Sequence, residues 1–188
     1  CLLSRGLGDV YKRQALEADP YYRWITYLLV PVLWASFIAI CVFVASQPLS
    51  ATGLLAMIIN TGGGLGFAIN LGHEMGHKKS TLERWLAKLA LAPACYGHFY
   101  IEHNRGHHRD VATPVDPASS RMGESIYRFV LREMPGGFRR AWQLERERLA
   151  RCGKSPWSLD NEVLQPALIS LCLLYTSDAA DERSRGEG

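Results

Sequence analysis

All six histidines of this 188-residue chain lie between His73 and His108. Five of them form two groups: His73 and His77 in "GHEMGH", and His103, His107 and His108 in "EHNRGHH". Residues four apart on a helix share a face, with Cβ atoms about 5–6 Å apart, so His73 and His77 can offer nitrogens to one ion. His103 and His107 repeat that spacing, His108 adds an adjacent donor, and Gly106 removes a side chain where ligand and backbone would crowd. Five imidazoles at the mouths of apolar segments are costly to desolvate unless they bind something. The constellation reads as a metal site.

His-Glu-x-x-His is also the pattern of a peptidase zinc, which needs three protein ligands, an open position and the Glu as base. Five neutral histidines exceed that need and point to two ions, and Glu74 is a poor candidate for a proteolytic base. Imidazole suits iron, copper, nickel and zinc alike, so the spacing leaves the element open. A membrane-embedded polynuclear site suits oxygen chemistry on apolar substrates, which favours iron. Five ligands do not complete two coordination spheres, so further donors are expected from elsewhere. Glu74, Glu102 and Asp110 flank the histidines and are candidates to accept the second imidazole N–H, fixing tautomer and orientation. His98 belongs to neither group and is expected to be a hydrogen-bonded structural histidine.

The elements that must position these side chains are apolar. No Asp, Glu, Lys or Arg occurs between Trp24 and His73, whereas Arg121 to Arg151 holds eight Arg. Such segregation is expected where hydrocarbon solvates part of the chain. Trp24–Ser46 is long enough to cross a bilayer core of about 30 Å, and Pro31 within it is tolerated there. Tyr21, Tyr22, Arg23 and Trp24 form an aromatic and cationic collar. Gln47-Pro48-Leu49-Ser50 supplies a turn, with Ser50 as N-cap of a second span, Ala51–Leu71. Gly62, Gly63, Gly64 and Gly66 are expected to allow close helix approach. Leu86–Ile101 is a shorter apolar segment, expected as a half-buried or re-entrant helix, and Val163–Leu171 opens a further span. The fold class is thus all-α, a multi-span membrane protein. A soluble α-protein with buried helices is the competing architecture. Cations concentrate beyond the second span, which puts the histidines on the cytoplasmic side by the positive-inside tendency.

The five cysteines have no paired metal-type spacing and read as small buried hydrophobes or adventitious thiols. The chain ends look foreign. "DVYKRQ" (Asp9–Gln14) back-translates to GATGTGTATAAGAGACAG, whose reverse complement, read from its second base, encodes "CLLYT" and the start of a Ser codon, as at Cys172–Ser177. That DNA resembles a transposase sequencing adapter. Residues 1–14 and 172–188 are therefore read as adapter-derived, and residues 15–171 as an internal fragment of a longer protein.

"HEMGHKK", "YGHFYIEHNRGHHRDVATPVDPASSRMGESIYRF" and "REMPGGFRRAW" together resemble the integral-membrane alkane 1-monooxygenases, within the membrane fatty acid desaturase and hydroxylase superfamily. The resemblance runs from about Leu16 to Leu171. Histidine spacing alone would indicate only the superfamily; "NRGHHRDVATPVDP" with "SRMGES" narrows it to the alkane branch. The resemblance implies a non-haem di-iron site, two Fe, with His73, His77, His103, His107 and His108 as both iron ligands and catalytic residues. It implies O2 as co-substrate, an n-alkane substrate, a primary alcohol product, and electrons from rubredoxin, which an NADH-dependent rubredoxin reductase supplies. It implies a multi-pass protein of the cell inner membrane. A His-Tyr-Gly motif, a third His box and the family's first two membrane helices are missing, so the fragment is not expected to turn over alone.

The Arg-rich stretch Phe138–Arg151 is expected to face solvent or lipid headgroups, with docking of an acidic rubredoxin as the functional alternative, and Trp142 and Trp157 are expected as interfacial anchors. Nucleic acid is not an expected partner. A sister membrane di-iron enzyme, either a xylene-type hydroxylase or a fatty-acyl desaturase, is the nearest alternative. A non-enzymatic membrane metal binder is the alternative of another class.

Overall fold

The computed structural model describes residues 19–186, with side chains described as far as Tyr175. Residues 1–14, read above as adapter-derived, lie outside the described residues. Every described element is helical. Two long helices come first, α1 (Pro20–Ser46) and α2 (Ala51–Gly76), followed by α3 (Thr81–Leu91). A short α4 (Phe99–Ile101) runs without a break into a π-helical turn, Glu102–His107, and then α5 (His108–Asp110). The long basic α6 (Ile126–Arg151) and α7 (Leu164–Gly186) complete the order.

Local chemistry sets the helix starts. Asp19 accepts from the Tyr21 N–H at 2.9 Å and Pro20 opens α1, where its missing N–H costs nothing. Ser50 accepts from the Gly53 N–H at 3.2 Å, which is the cap its position suggested. Both α1 and α2 are long and apolar enough to cross a membrane, and only 6% and 11% of their apolar windows are buried within the protein. Core helices of a soluble protein would be mostly covered. Leu28, Val32, Ile38, Val42, Ile58 and Ile59 instead point outward, which is the surface a lipid environment stabilises. This is a membrane protein. Of the two readings expected for the cysteines, small buried hydrophobes or adventitious thiols, the exposed Cys41 and Cys95 fit the second.

The packed core sits at the histidine end of α2, where Leu71 and Met75 meet Ala87, Leu91, Tyr100 and Ile101. The close helix approach expected at Gly62, Gly63, Gly64 and Gly66 is not made there, since a Cβ on any of them would meet nothing within 4 Å. It is made about two to three turns later. At Gly72 a Cβ would lie 2.6 Å from Leu91 Cγ, and at Gly76 it would lie 3.2 Å from Asn104 Nδ2. The reason is that α3 and the π-turn cover only the last turns of α2, leaving its middle to lipid. Gly72→Ala is accordingly expected to destabilise the protein by about 1–3 kcal/mol through overpacking against a fully buried Leu91. Thermal melting in detergent micelles measures it, and Gly72→Ala should cost less in a Leu91→Ala background than in the unaltered chain.

The segment Leu86–Ile101 differs from the single helix expected of it. α3 ends at Leu91, Pro93 cannot continue the hydrogen-bond ladder, and Cys95 takes a left-handed φ of 53° before α4 begins. Far from half-buried, it supplies Ala87, Ala90, Leu91, Ala92, Tyr100 and Ile101 to the interior. Polar ties fasten α1 to α3. Glu83, buried on α3, accepts from Arg23 at 3.0 Å and Tyr27 at 2.9 Å, and Trp34 Nε1 donates to the Leu89 carbonyl at 3.0 Å. Arg23 of the expected collar therefore fastens helices together, whereas Trp24 stays exposed as an interfacial aromatic would.

Candidate metal centre

The last turn of α2 presents His73 and, at its C-cap, His77; the π-turn presents His103, and α5 opens with His108. Their Nε2 atoms converge. His77 lies 3.1 Å from His73 and 3.3 Å from His103, and His108 lies 3.0 Å from His103. Hydrogen bonding alone does not account for this. A neutral imidazole nitrogen carries either one proton or one lone pair, yet Nε2 of His77 and of His103 each face two other ring nitrogens. A cation could sit between His73, His77 and His103, whose ligand nitrogens all lie within 4.8 Å of one another, with His108 standing beside His103 as a further donor. Two nitrogens each about 2.0–2.1 Å from one ion stand about 2.9–3.4 Å apart at octahedral to tetrahedral angles, which matches the observed separations. Burial, reinforced by the neighbouring imidazoles, pushes His103 down to about 3, and the same causes lower His77. Their lone pairs are therefore free at neutral pH.

His107 is placed differently. The expected i, i+4 face shared by His103 and His107 gives way to an i, i+5 register, because the turn is π-helical and brings His108 rather than His107 against His103. His107 stacks beside His103, ring centroids 5.4 Å apart, and its Nδ1 bonds Asp116 Oδ2 at 2.9 Å. Asp116 is itself buried and fixed. It accepts from Ser119 Oγ and from the Ala118 N–H at 3.0 Å. Burial pulls its pKa up, but the bonds from Ser119, His107 and Ala118 together bring it below the ordinary value. The carboxylate thus holds the proton on His107 Nδ1 and leaves Nε2 as the donor atom.

None of the three carboxylates expected to orient a histidine does so. Glu74 is exposed and pairs with Lys78 at 3.1 Å. Asp110 pairs with Arg109 and Arg140. Glu102 is buried with Oε1 lacking a hydrogen-bond partner, 3.9 Å from Arg140 Nε, and burial pushes it up to about 7. The orienting residue is Asp116, nine positions past His107 in "TPVDP". Only the loop that doubles back after α5 discloses it. His98 lies apart from the cluster. It was expected to be hydrogen-bonded, but its buried Nε2 has no partner. The ring is held by the edges of Tyr96 and Phe138, at 4.7 and 5.3 Å, and burial lowers its pKa to about 4.

A membrane helix pair delivering clustered histidines matches what comparison with known proteins finds. Residues 48–177 match the family model described as "Fatty acid desaturase". The chain belongs to the fatty acid desaturase family. Membership of this family implies a non-haem iron site, and the ring nitrogens of His73, His77 and His103, all within 4.8 Å of one another, are donors that such an ion takes. Among members of the family, the chain is 60% identical to alkane 1-monooxygenase 1 of Alcanivorax borkumensis, over 92% of this chain and 44% of that protein. It is 56% identical to the alkane 1-monooxygenase of Ectopseudomonas oleovorans (84% of this chain, 39% of that protein) and 55% identical to that of Pseudomonas putida (87% and 40%). The chain spans about two fifths of the length of these relatives.

Proposed function

We propose that this chain is part of a membrane enzyme that hydroxylates the terminal methyl of n-alkanes, with a di-iron site to which it contributes five histidines. The observation that carries the reading is the convergence of histidine nitrogens at one end of two long, outward-facing apolar helices. His73, His77 and His103 would hold one ion, with His108 drawn in beside His103 as a further donor, and His107, its Nε2 set free by Asp116, would donate to the second. The names of the relatives supply the substrate class.

When bound, non-haem iron would supply the oxidising chemistry by which an alkane, O2, two protons and two electrons become a primary alcohol and water. The protein's part is to hold, orient and keep dry. An alkane has no hydrogen-bonding handle, so it must be selected by shape. A groove of about 330 Å³ between α1 and α2, lined by Leu29, Val32, Leu33, Phe37, Ile40 and Leu65 among others, is apolar enough to form part of such a wall.

The inner membrane is the proposed location, with the site on the cytoplasmic side, because Lys78, Lys79 and the arginines of α6 all follow α2. Rubredoxin is the proposed electron donor, supplied from NADH through its reductase. Arg128, Arg139, Arg146 and Arg151 are exposed on α6 and would steer an acidic partner to this face.

The test is a graft. Residues 15–171 replace the matching segment of the Alcanivorax borkumensis relative, and cells are fed octane. Octanol is the expected product, and its absence from a stably expressed chimera sinks the reading. Desaturated acyl chains without alkanol would favour a desaturase instead. In the same graft Asp116→Ala is expected to lower octanol output about 10–100-fold, the usual cost of losing the group that orients a ligating histidine. Ser119→Ala, which leaves the His107 contact in place, should cost less.

A further inference from the structure

The π-turn decides which imidazoles meet. On a regular α-helix, residues four apart are offset by about 40° and residues five apart by about 140°. An α-helical path from Glu102 to Asp110 would therefore set His107, not His108, over His103. The π-register reverses this choice, with the His108 N–H reaching the His103 carbonyl. Such turns are rare and are frequently found at functional sites. An extra residue in a helical turn has to be held by contacts from outside it.

Those contacts converge on the middle of the turn. Arg105 donates from Nη1 to Glu145 Oε1 and from Nη2 to Glu162 Oε2, on two segments 40 and 57 residues along the chain. Both seats are fixed independently of Arg105. Glu145 is fully buried and accepts from Arg148 Nε and from the Glu162 N–H, each at 2.8 Å, while Glu162 accepts from Lys88 at 3.0 Å. A planar guanidinium reaching two preset carboxylates fixes direction as well as position. Next to it, Asn104 Nδ2 donates at 2.8 Å to the Tyr100 carbonyl, the acceptor its own N–H would use in an α-helix. Gly106 closes the turn where a Cβ would come within 2.8 Å of Arg140 Nε.

We propose that Arg105 is a positioning residue whose fork, seated on Glu145 and Glu162, holds Glu102–His107 in π-register and so selects His108 over His107 as the partner of His103 at the ion. This rests on reading the histidine cluster as an ion site. Loss of the fork lets the turn relax toward α-register, withdraws His108 and changes the donor set. A purely structural ion pair would alter stability and leave the donor set alone.

The test is a Co2+ titration of the chain in detergent micelles, read by visible absorption, whose band position and intensity report donor number and symmetry. Arg105→Gln leaves Glu145 with Arg148 and Glu162 with Lys88, so both seats stay neutralised. Its Co2+ affinity is expected to fall at least about tenfold with a changed band shape. Arg105→Lys, which keeps the charge without the fork, should fall between. Lys88→Gln strips the other cation from the same Glu162 without touching the turn, so it should lower the melting temperature and leave the Co2+ spectrum alone. An Arg105→Gln chain with unchanged affinity and spectrum overturns the clamp, and so does a Lys88→Gln chain whose spectrum changes as much. Should Arg105→Gln not fold, Glu162→Gln, which weakens one seat only, decides between the same two outcomes. If the unaltered chain binds no Co2+, the ion-site reading fails and takes this proposal with it, whereas binding that ignores Arg105 removes the clamp alone.

Discussion

His103→Ala is expected to abolish ion binding, with Co2+ affinity falling by more than about 100-fold. His103 is the junction of the cluster: its Nε2 is the atom that faces both His77, at 3.3 Å, and His108, at 3.0 Å. Removing it leaves the α2 pair and His108 with no nitrogen between them. Loss of a group that merely orients a ligand typically costs 10–100-fold, so loss of the central donor should exceed about 2.7 kcal/mol. The matched control is His98→Ala. That histidine is also half-buried and close in sequence, but it lies apart from the cluster among aromatic edges, so its replacement should leave Co2+ affinity within about twofold. Equal losses in the two variants would mean that the cluster is not the binding site. In the Alcanivorax graft, His103→Ala should produce no octanol above background.

The second large effect is on stability. Glu145→Ala is expected to cost about 3 kcal/mol, read by denaturation in micelles. Glu145 is a fully buried carboxylate that joins Arg105 of the π-turn, Arg148 of its own helix and the backbone N–H of Glu162. Breaking one partner out of a buried charge network generally costs about 3–5 kcal/mol, because the remaining charges stay desolvated and unpaired. The lower end applies here, since Arg105 and Arg148 are 35% and 31% exposed and can partly rehydrate. Glu145→Gln keeps one carbonyl acceptor for a guanidinium and should lose about half as much. Against a total stability of about 5–15 kcal/mol, the Ala loss is large enough to show as a clear drop in the melting temperature. A change below about 1 kcal/mol would mean that α6 is held to the site by its other contacts, without the Glu145 network.

The two effects separate two kinds of basic residue on α6 that look alike in composition. Arg132, Arg140 and Arg148 turn inward, to Glu124, to Asp110 and Glu102, and to Glu145. Arg128, Arg139, Arg146 and Arg151 stay exposed. An arginine count predicts a solvated or docking face, which the exposed set provides. It does not foretell that nearly half of the same residues hold the loop and the π-turn in place. Trp142 and Trp157, expected as separate interfacial anchors, lie against each other with ring centroids 5.0 Å apart, and Trp157 keeps the exposure an anchor needs.

What the sequence alone determined is whatever depends on neighbours along the chain. The uncharged runs made α1 and α2 legible as membrane helices, Ser50 marked a helix start, and the spacing of His73 and His77 placed both at the end of one helix. The family, too, was written in "HEMGHKK" and "NRGHHRDVATPVDP". What only the tertiary structure decided is whatever depends on groups distant in the chain. Gly72 and Gly76, not the glycine run before them, meet neighbouring elements, because α3 and the π-turn cover only that end of α2. Asp116, not Glu74, Glu102 or Asp110, reaches a histidine, because the loop after α5 folds back. The pairing of His103 with His108 belongs to this second class. Local spacing favours His107, but a π-register costs a residue its regular α-helical bond. The contacts that touch this turn, from Glu145 and Glu162, are 40 and 57 residues away, beyond the reach of any pattern within the motif.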